Sequence, residues 1–380
     1  MKTVKLYETN AYISLFKASV LSCEECKDGY KSVLSETAFF PEAGGQPCDK
    51  GYLGDIEVNN VQIENGEIYH YTKSPLNVGD SVNGEIDFAR RFNFMQNHTA
   101  EHIVSGIVYK KYGFDNIGFH LNDSEVTFDF NGFFSAEDLS EIELEANKKV
   151  WQNLNVRAYY PTNDELKSIN YRSKSGISGE IRLVEIENTD ICACCAPHVK
   201  STGEIGIIKF LGTEKQHGGT RIFMKCGSFA LNDYSQKAAD IDAVCKLLSA
   251  KPQTLKNMVF DLRGKIEQEK QALKNTKEQL FSYMIKYFDK SKLVISIKNA
   301  DIKDLQFVAD GLHKAYGGVR AAITENGSGT AFVMCGDIAQ IETAFCELKS
   351  SFTVKGGGRD KIRQGSIEAP VSEVLDYFGV

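Results

Sequence analysis

Two short motifs place metal-ligating side chains at spacings that suit a single ion. His98 and His102 stand four residues apart in a segment with helical character, and side chains at i and i+4 lie on the same face of a helix. Further along the chain, Cys194 and His198 form a Cys-x3-His pair. The two pairs together offer three imidazoles and one thiolate, the nitrogen and sulfur set that Zn²⁺ prefers over Mg²⁺ or Ca²⁺. We therefore predict a zinc site formed by these four residues.

Three alternatives for these motifs remain open at the level of sequence. The first motif also fits His-x-x-Glu-His, the inverted zincin pattern, in which Glu101 would be the general base of a metalloprotease. That interpretation needs an acidic third ligand and gives no role to Cys194 or His198, so a solvated helix surface is the simpler expectation for Glu101. A closed four-ligand zinc that only holds the fold is also compatible with the spacing. Finally, Cys192 and Cys195 are neighbouring sulfurs that could compete with Cys194.

The remaining cysteines give no second metal signal. Cys23 and Cys26 form a lone Cys-x-x-Cys between strand-like segments, which is typical of a hairpin with two ordinary thiols. We expect the scattered cysteines to be small core residues; they are Cys48, Cys226, Cys245, Cys335 and Cys346.

Composition excludes several classes of protein. The 380 residues are 42% hydrophobic and 25% charged, which is typical of folded domains rather than of disordered or fibrous chains. The net charge of −7 gives no overall basic footprint for nucleic acid, so any RNA contact must be local. No apolar stretch reaches the 18 to 20 residues of a membrane helix, and the first residues lack a cleavable apolar leader. We expect a cytoplasmic protein without membrane association.

The elements that must position the two motifs change in type along the chain. Residues 1–88 show short β-like runs between turn signals and predict a small β-barrel. Residues 89–230 mix helical and strand-like stretches and predict an α+β domain that carries both motifs. The expected helices lie near residues 97–112 and 136–153.

The later half predicts a helical connector and a third domain. Residues 231–290 include a stripe of apolar residues at alternating steps of three and four, typical of a coiled coil. The overlapping stretch 251–292 holds ten basic and five acidic residues, a net charge of +5, which on a coiled coil can be simply a solvated face. Residues 291–380 alternate strands and helices, as in a C-terminal α/β domain. Three consecutive glycines, Gly356 to Gly358, precede Arg359 in this domain; they could hold an anion or form a plain tight turn.

The combined motifs resemble a known family. The His-x3-His and Cys-x3-His pairs are similar to those of the editing domain of alanyl-tRNA synthetases and of free-standing AlaX proteins, and the Pro197–His198 ending is similar to the related domain of threonyl-tRNA synthetase. The segment around Gly44, Gly45 and Gln46 resembles the signature of the family's N-terminal barrel. The Gly-rich segment resembles the C-terminal, DHH-associated domain of the long AlaX class. The chain therefore resembles the long-form AlaX family. The resemblance implies an α+β multidomain fold whose editing domain is of the threonyl/alanyl-tRNA synthetase second additional domain type.

The resemblance implies roles for further residues. It implies that Gly44 and Gly45 bind substrate, that Gln46 supports catalysis, and that Arg359 contacts the nucleic acid. Many relatives carry a catalytic Gln downstream of the His pair; here Asn116 or His120 takes that place. The chain also departs from the alanyl pattern Cys-Gly-Gly-Thr-His, because residues 194–198 read Cys-Cys-Ala-Pro-His.

The implied activity is hydrolysis of a mischarged ester. The resemblance implies a zinc-dependent trans-editing deacylase that removes Ser, and Gly as a second substrate, from tRNA(Ala), with the tRNA acceptor end as partner. We also predict that the helical connector and the C-terminal domain capture tRNA and form a homodimer. The alternative is a tRNA-binding module of the same fold with weakened catalysis, suggested by the altered Cys-x3-His interior and by Asn116.

Overall fold

The chain divides into two compact units. A computed structural model describes residues 3–173, 180–216 and 218–380. The first unit comprises Met1–Ala243 and the second comprises Val244–Val380. The expected division at residues 88, 230 and 290 is finer than these two units and stays a prediction.

The first unit opens with a six-stranded closed barrel, ordered β2-β3-β7-β6-β5-β8. Three of its strands, β5, β7 and β8, alternate buried with more exposed side chains, as the sequence pattern predicts. A separate parallel pair joins β1 to β4. The elements in chain order are β1 (Val4–Lys5), α1 (Leu6–Thr9), β2 (Leu15–Cys26), β3 (Gly29–Leu34), β4 (Glu36–Thr37), β5 (Gly51–Leu53), β6 (Ile56–Glu64), β7 (Glu67–Thr72) and β8 (Ser81–Ile86).

The rest of the first unit is an α+β region with two antiparallel sheets, ordered β14-β15-β10-β9 and β11-β12-β13. Helices α2 and α3 and the four-stranded sheet contribute to one continuous hydrophobic core. The elements in chain order are α2 (Phe88–Tyr112), β9 (Asn116–Leu121), β10 (Val126–Phe130), α3 (Ala136–Trp151), β11 (Val156–Tyr159), α4 (Asn163–Ser168), β12 (Leu183–Ile186), β13 (Asp190–Ala193), a 3₁₀ turn (Thr202–Ile205), β14 (Ile208–Gln216) and β15 (Gly219–Cys226).

Helix α2 is the central element of this region. It begins at Phe88, nine residues before the expected start at 97, because the Asp87 carboxylate caps it by accepting a hydrogen bond from Arg90 N at 3.0 Å. It ends at Tyr112 and is followed by Gly113, which adopts the left-handed conformation (φ 69°) common after helices. Nearly every side chain from 94 to 108 is buried, so this helix has no solvent-facing stripe over those residues.

A buried ion pair joins α2 to the barrel. The Arg91 guanidinium binds the Asp49 carboxylate, with Nε 2.9 Å from Oδ1, and both side chains are almost fully buried. Arg91 also donates to the carbonyl oxygens of Ala11 and Ala38. Because the charges are paired and their hydrogen bonds are satisfied, the barrel and the helix can share this desolvated contact.

Two helices follow the α+β region where the sequence predicts a connector. They are α5 (Gly227–Leu248), within which the boundary between the units falls, and α6 (Leu255–Lys286), preceded by a 3₁₀ turn (Pro252–Thr254). Phe281 is the buried residue of α6, and most of its apolar stripe is exposed. The exposed members include Val259, Leu262, Ile266, Leu273 and Leu280.

The second unit contains a five-stranded sheet ordered β16-β17-β18-β20-β19. Strands β16 and β17 are parallel and are joined through α7, and the other pairs are antiparallel. One core lies between this sheet and helices α8 and α9, and another between the sheet, α7 and the end of α6. The elements are β16 (Val294–Ser296), α7 (Ile302–Tyr316), β17 (Arg320–Asn326), β18 (Gly329–Cys335), α8 (Ile338–Ser351), β19 (Val354–Gly357), β20 (Ile362–Ile367) and α9 (Val371–Tyr377).

The fold tests the expectations of no membrane helix and of buried scattered cysteines. Within the described part of the chain, no helix combines the length and the apolar character that crossing a membrane requires. Four of the five scattered cysteines are buried, as expected, but Cys346 is exposed on α8, so the prediction is wrong for that residue. Helix α8 packs one face on its sheet and leaves the other in water, and Cys346 lies on the second face.

Candidate metal centre

The four residues of the predicted metal set meet at one point. The ligand atoms of His98, His102, Cys194 and His198 all lie within 4.8 Å of one another. Cys194 Sγ is 3.5 Å from His98 Nε2 and 3.3 Å from His198 Nε2. His98 and His102 come from successive turns of α2, and the other two residues come from the loop after β13. The structure therefore brings together the pairs that the sequence predicts.

The side chain of Arg182 holds the ligand loop in place. Its Nη1 donates to the carbonyl oxygens of Cys194 and Ala196, both at 3.0 Å, and its own carbonyl accepts from Cys194 N. These hydrogen bonds hold the backbone on both sides of Cys195 and so restrict the orientation of the Cys194 thiol and the His198 ring.

Two imidazoles are oriented by hydrogen bonds at the nitrogen that faces away from the centre. His98 Nδ1 lies 2.9 Å from the Oε1 atom of Gln46, and His198 Nδ1 lies 3.0 Å from the hydroxyl of Thr99. The Thr99 hydroxyl donates to the Met95 carbonyl at 2.7 Å, so it accepts from His198. Each ring therefore carries its proton on Nδ1 and leaves the Nε2 lone pair for a ligand bond.

The third imidazole faces a carboxylate. His102 Nδ1 is 3.5 Å from Asp190 Oδ2, wider than an ordinary hydrogen bond. Arg172 holds Asp190 with two parallel contacts of 2.7 Å, Nε to Oδ1 and Nη2 to Oδ2. At Gly106, one turn after His102, an added Cβ would lie only 2.8 Å from Asp190 Cβ, so glycine permits this close approach of β13 to α2.

The electrostatics favour the ligand forms of Cys194 and His198. At His102, burial lowers the pKa of the ring, but Cys192, Asp190 and Cys194 outweigh burial and raise that pKa well above its usual value, so a metal must displace a proton there. Burial raises the pKa of the Cys194 thiol, but the adjacent His98 and His198 outweigh this effect and bring that pKa well below its usual value. Burial lowers the pKa of His198 to about 3, so its ring is neutral at pH 7. A thiolate and a neutral imidazole are the forms that bind a transition metal, so the donor set fits a zinc ion.

Cys192 forms a second possible set with His102 and Asp190, but its chemistry is less suitable. Burial raises the pKa of the Cys192 thiol to about 11, which keeps it protonated, and Asp190 is already paired with Arg172. Cys194 is therefore the better thiolate donor of the two. Cys195 lies on the other side of the loop, with its Sγ 4.0 Å from where a side chain on Gly44 would begin.

The barrel contributes a glycine turn to this centre. Ala43 N donates to the Gln46 carbonyl at 3.1 Å and Gln46 N to the Ala43 carbonyl at 3.0 Å, which closes a tight turn with Gly44 and Gly45 at φ 62° and 81°. A Cβ on Gly45 would lie 2.3 Å from the Phe119 carbonyl oxygen. The turn places the fully buried Gln46 against His98, and among the described residues the Gln46 Nε2 group has no hydrogen-bond partner.

Glu101 departs from its expected position. It is 6% exposed rather than solvated, so the prediction of a solvated helix surface is wrong. Its Oε1 accepts from Ser105 Oγ at 2.5 Å and from Asn116 Nδ2 at 2.6 Å, contacts that a helical pattern cannot show. Its Oε2 lies 3.9 Å from His102 Nε2. Asn116, whose Oδ1 accepts from Gly118 N, therefore positions Glu101.

Two other predicted site residues, His120 and Arg359, are exposed. The ring of Phe119 on β9 packs at 4.7 Å from the His98 ring, so the strand alternation directs the following residue, His120, to the opposite, exposed face. Arg359 is exposed in the turn between β19 and β20 of the second unit. Its predicted role in nucleic-acid contact stays a prediction.

Sequence reasoning missed four supporting residues. Thr99 stands between the two ligands of the first motif, and Asp190 stands four residues before Cys194. Either could have been found by asking which neighbour can bond the second nitrogen of a ligand histidine. Arg172 and Arg182 carry no local signal, because they reach the centre only through tertiary contacts.

Comparison with known families agrees with this architecture. Residues 181–223, which include Cys194 and His198, match the family described as threonyl and alanyl tRNA synthetase second additional domain. Residues 5–90 match the family described as tRNA synthetases class II (A).

Relatives match over very different shares of their own length. The alanyl-tRNA editing protein AlaX-L of Pyrococcus horikoshii is 26% identical, over 98% of this chain and 96% of the relative. The chain is thus similar to the long-form AlaX-L protein over nearly the whole length of both. The alanine–tRNA ligase of Pyrococcus furiosus is 30% identical over 96% of the chain, which spans only 42% of that enzyme. The alanyl-tRNA editing protein Aarsd1-B of Xenopus laevis is 30% identical over 59% of the chain and 56% of the relative.

Proposed function

We propose that this chain is a long-form AlaX protein, a trans-editing hydrolase that deacylates Ser-tRNA(Ala), and Gly-tRNA(Ala) as a second substrate. The observation that carries the proposal is the cluster of three histidines and Cys194, of which Cys194 and His198 lie within the residues that match the second additional domain. AlaX-L and Aarsd1-B, the relatives that match the chain, are named as alanyl-tRNA editing proteins.

The need for such an enzyme follows from the physics of amino-acid selection. Serine differs from alanine by one hydroxyl and glycine differs by one methyl, and an activation pocket cannot strongly reject either difference. A separate site that hydrolyses the wrong ester restores accuracy. Because the ester is already activated, orienting the reacting groups supplies much of the rate that is needed.

The proposed cofactor is Zn²⁺, held by His98, His102, Cys194 and His198. When bound there, zinc would act as a Lewis acid toward an ester carbonyl or water. The protein groups around it have separate tasks. Gln46 orients His98 and offers to the substrate its Nε2 donor, which is unpaired within the described part of the chain. Gly44 and Gly45 let the backbone of the turn approach the aminoacyl group.

The proposed nucleic-acid partner is the acceptor end of tRNA(Ala). The basic stretch 251–292 and the exposed Arg359 provide local positive charge within an acidic chain. The exposed apolar stripe of α6 supports a homodimer formed through this helix, because a coiled-coil seam needs a second helix to cover it.

A deacylation assay tests the function directly. Purified protein is offered Ser-tRNA(Ala) and Ala-tRNA(Ala), and we expect faster release of serine. Cys194→Ala should abolish both the bound zinc, measured by atomic emission, and the release of serine. Loss of zinc with unchanged hydrolysis would assign the metal a structural role.

The same assay separates the alternatives. A chain that binds tRNA(Ala) with salt-dependent affinity but leaves the ester intact is a binding module rather than an enzyme. Peptidase activity that disappears in Glu101→Gln, without aminoacyl-tRNA hydrolysis, would favour the metalloprotease.

A further inference from the structure

The metal centre comes closest to solvent where the ligand loop meets the glycine turn. The three histidines of the cluster are buried, whereas Cys194 is half-buried. Its neighbour Cys195 is exposed, and so are Gly44 and Gly45 across from it. A substrate that enters from solvent therefore approaches the cluster between Cys195 and this turn.

The space between Cys195 and the turn is narrow. A Cβ on Gly44 would lie 4.0 Å from Cys195 Sγ. That separation is an ordinary van der Waals contact, so a methyl group on Gly44 would just touch the sulfur. The gap between the turn and the thiol is thus about one methyl group wide.

The backbone around Cys195 is held in place. The nearly buried Arg182 donates to the carbonyl oxygens of Cys194 and Ala196, both at 3.0 Å. The peptide groups on both sides of Cys195 are therefore fixed, which restricts how far its side chain can withdraw. A rigid side chain at the edge of a site discriminates between ligands by their size.

A buried donor beside the gap favours a polar ligand. Gln46, two residues after Gly44, is fully buried, and its Nε2 group has no hydrogen-bond partner within the described part of the chain. Buried polar groups are almost always hydrogen-bonded, so this group indicates a polar ligand next to the turn. The hydroxymethyl side chain of serine is polar and adds only two heavy atoms beyond glycine.

These observations assign a function to Cys195. We propose that Cys195 is a specificity-determining residue, whose side chain lines the acyl pocket opposite the glycine turn and excludes amino acids larger than serine. The alanyl pattern has glycine at this position, so the size limit belongs to this chain. Cys195 is in neither candidate metal set found among the described residues, so it acts by contact with the substrate. The inference rests on the proposed function and defines the size of its substrate.

The test compares the glycyl, seryl and threonyl esters of tRNA(Ala), where threonine adds one methyl group to serine. Each rate is corrected for spontaneous hydrolysis. Cys195→Gly widens the gap and should raise kcat/KM for the threonyl ester about tenfold relative to the seryl ester, because one such carbon in a pocket is worth roughly 10- to 200-fold. Cys195→Val narrows the gap and should lower kcat/KM for the seryl ester about tenfold relative to the glycyl ester. Cys195→Ser preserves the size and should retain the wild-type ratios.

Binding provides a second measurement that does not depend on hydrolysis. Adenosine analogues that carry seryl or threonyl groups in a stable 3′-amide linkage are titrated into the zinc-loaded full chain by calorimetry. Cys195→Gly should tighten binding of the threonyl amide relative to the seryl amide. The matched control is Cys346→Val, the same change at an exposed cysteine of α8, which should alter none of these ratios. Zinc content and circular dichroism are measured for every variant.

The outcomes lead to distinct conclusions. Equal changes for all three esters in the Gly and Val variants would show a general structural effect and overturn the size limit, and so would unchanged ratios. A wild-type chain that releases threonine as fast as serine would also overturn it. If the wild-type chain releases none of the three amino acids, the proposed function fails. The relative binding of the two amides then decides the size limit by itself.

Discussion

At the scale of single residues, the centre depends on side chains that touch the ligands rather than the ion. Gln46 and Thr99 bond the Nδ1 atoms of His98 and His198, and Asp190 faces that of His102. Such partners fix the tautomer and raise the basicity of a ligand ring. Their removal should weaken metal binding without removing a ligand.

Asp190→Asn tests this point. The change removes the negative charge that faces His102 Nδ1 and leaves Arg172 without its partner, so zinc affinity should fall about 10- to 100-fold. A competition titration with a chelating dye measures the affinity, and the absorption bands of the cobalt-substituted protein should shift. The control is Asp164→Asn, an exposed residue on α4, which should change neither. Unchanged affinity in Asp190→Asn would assign this residue to folding only.

His70 gives the barrel a stability that depends on pH. Its Nε2 lies 2.8 Å from the Thr37 hydroxyl and its Nδ1 3.2 Å from the Ser32 carbonyl, which suits a neutral ring. Burial lowers the His70 pKa to about 4. Between about pH 6.5 and pH 4, His70 is therefore protonated in the unfolded chain but neutral in the folded chain. The free energy of unfolding should fall by about 3 kcal/mol as the pH is lowered through this range.

The measurement is urea unfolding of the barrel region between pH 7 and pH 4. His70→Gln keeps hydrogen-bonding groups but cannot titrate, so its stability should depend less steeply on pH over this window. Equal slopes for the two proteins would show that His70 does not control the acid response.

How much of the site the sequence predicts depends on the range of the contact involved. The i, i+4 geometry of His98 and His102 is a property of any helix, so spacing alone brings them together. Joining them to Cys194 relied on the ligand preference of zinc. The burial of Glu101 was beyond sequence reasoning, because Ser105 and Asn116 meet it only after β9 packs on α2.

At the scale of elements, the turn of Gly44 and Gly45 links the barrel to the metal centre. Both glycines have positive φ, and Leu121 N on β9 donates to the Gly45 carbonyl at 2.9 Å. The backbone of the turn thus lies directly on the strand whose Phe119 ring packs against His98.

Gly45→Ala should displace this turn. The new methyl would meet the Phe119 carbonyl oxygen at 2.3 Å, so the turn must move and Gln46 should lose its bond to His98. We expect a stability loss of about 1–3 kcal/mol from strain and crowding, with weaker zinc binding, measured by thermal unfolding and metal titration. Gly54→Ala is the matched control, since Gly54 has a similar φ of 60° but open space around it. It should cost stability but leave zinc affinity intact, and equal zinc loss in both variants would contradict this account.

Element prediction worked best where hydrophobic periodicity was strong. The helix expected near 136–153 is confirmed as α3. The alternating strands and helices expected within residues 291–380 are confirmed as β16, α7, β17, β18 and α8. The hairpin of β19 and β20 was missed because its strands contain Gly356, Gly357 and Gly365, which weaken any strand signal. The close approach of β19 and β20 accounts for these glycines, since a Cβ on Gly356 would lie 2.3 Å from the Gln364 carbonyl oxygen.

At the scale of the whole molecule, the exposed stripe of α6 should control self-association. Leu273 is 60% exposed and Ile266 is 48% exposed. A row of large apolar side chains exposed to water on a single helix is unfavourable, so it marks a surface for association. The double change Ile266→Lys and Leu273→Lys should convert a dimer to a monomer in sedimentation equilibrium. Gln271→Lys adds charge at a polar position of the same helix and should leave the dimer intact. A wild-type chain that sediments as a monomer would refute the proposed seam.

Truncation after Ala243 separates the two units. The fragment keeps the whole cluster and both hydrophobic cores of the first unit, so it should bind zinc and hydrolyse a minimal seryl ester of adenosine. It should lose affinity for tRNA(Ala), measured by filter binding at several salt concentrations, because the +5 stretch and Arg359 are removed. Unchanged tRNA affinity would place the nucleic-acid contacts in the first unit.

The distance along the chain between the two ligand pairs has a consequence for synthesis. Cys194 contacts a histidine 96 positions earlier, and His98 is itself supported by Gln46, 52 positions before it. During translation the histidine pair therefore emerges before the cysteine loop, and the four ligands can meet only after that loop has been synthesised. Binding of a metal by all four ligands is consequently a late step in folding. It requires that the barrel, α2 and the cysteine loop have already packed together.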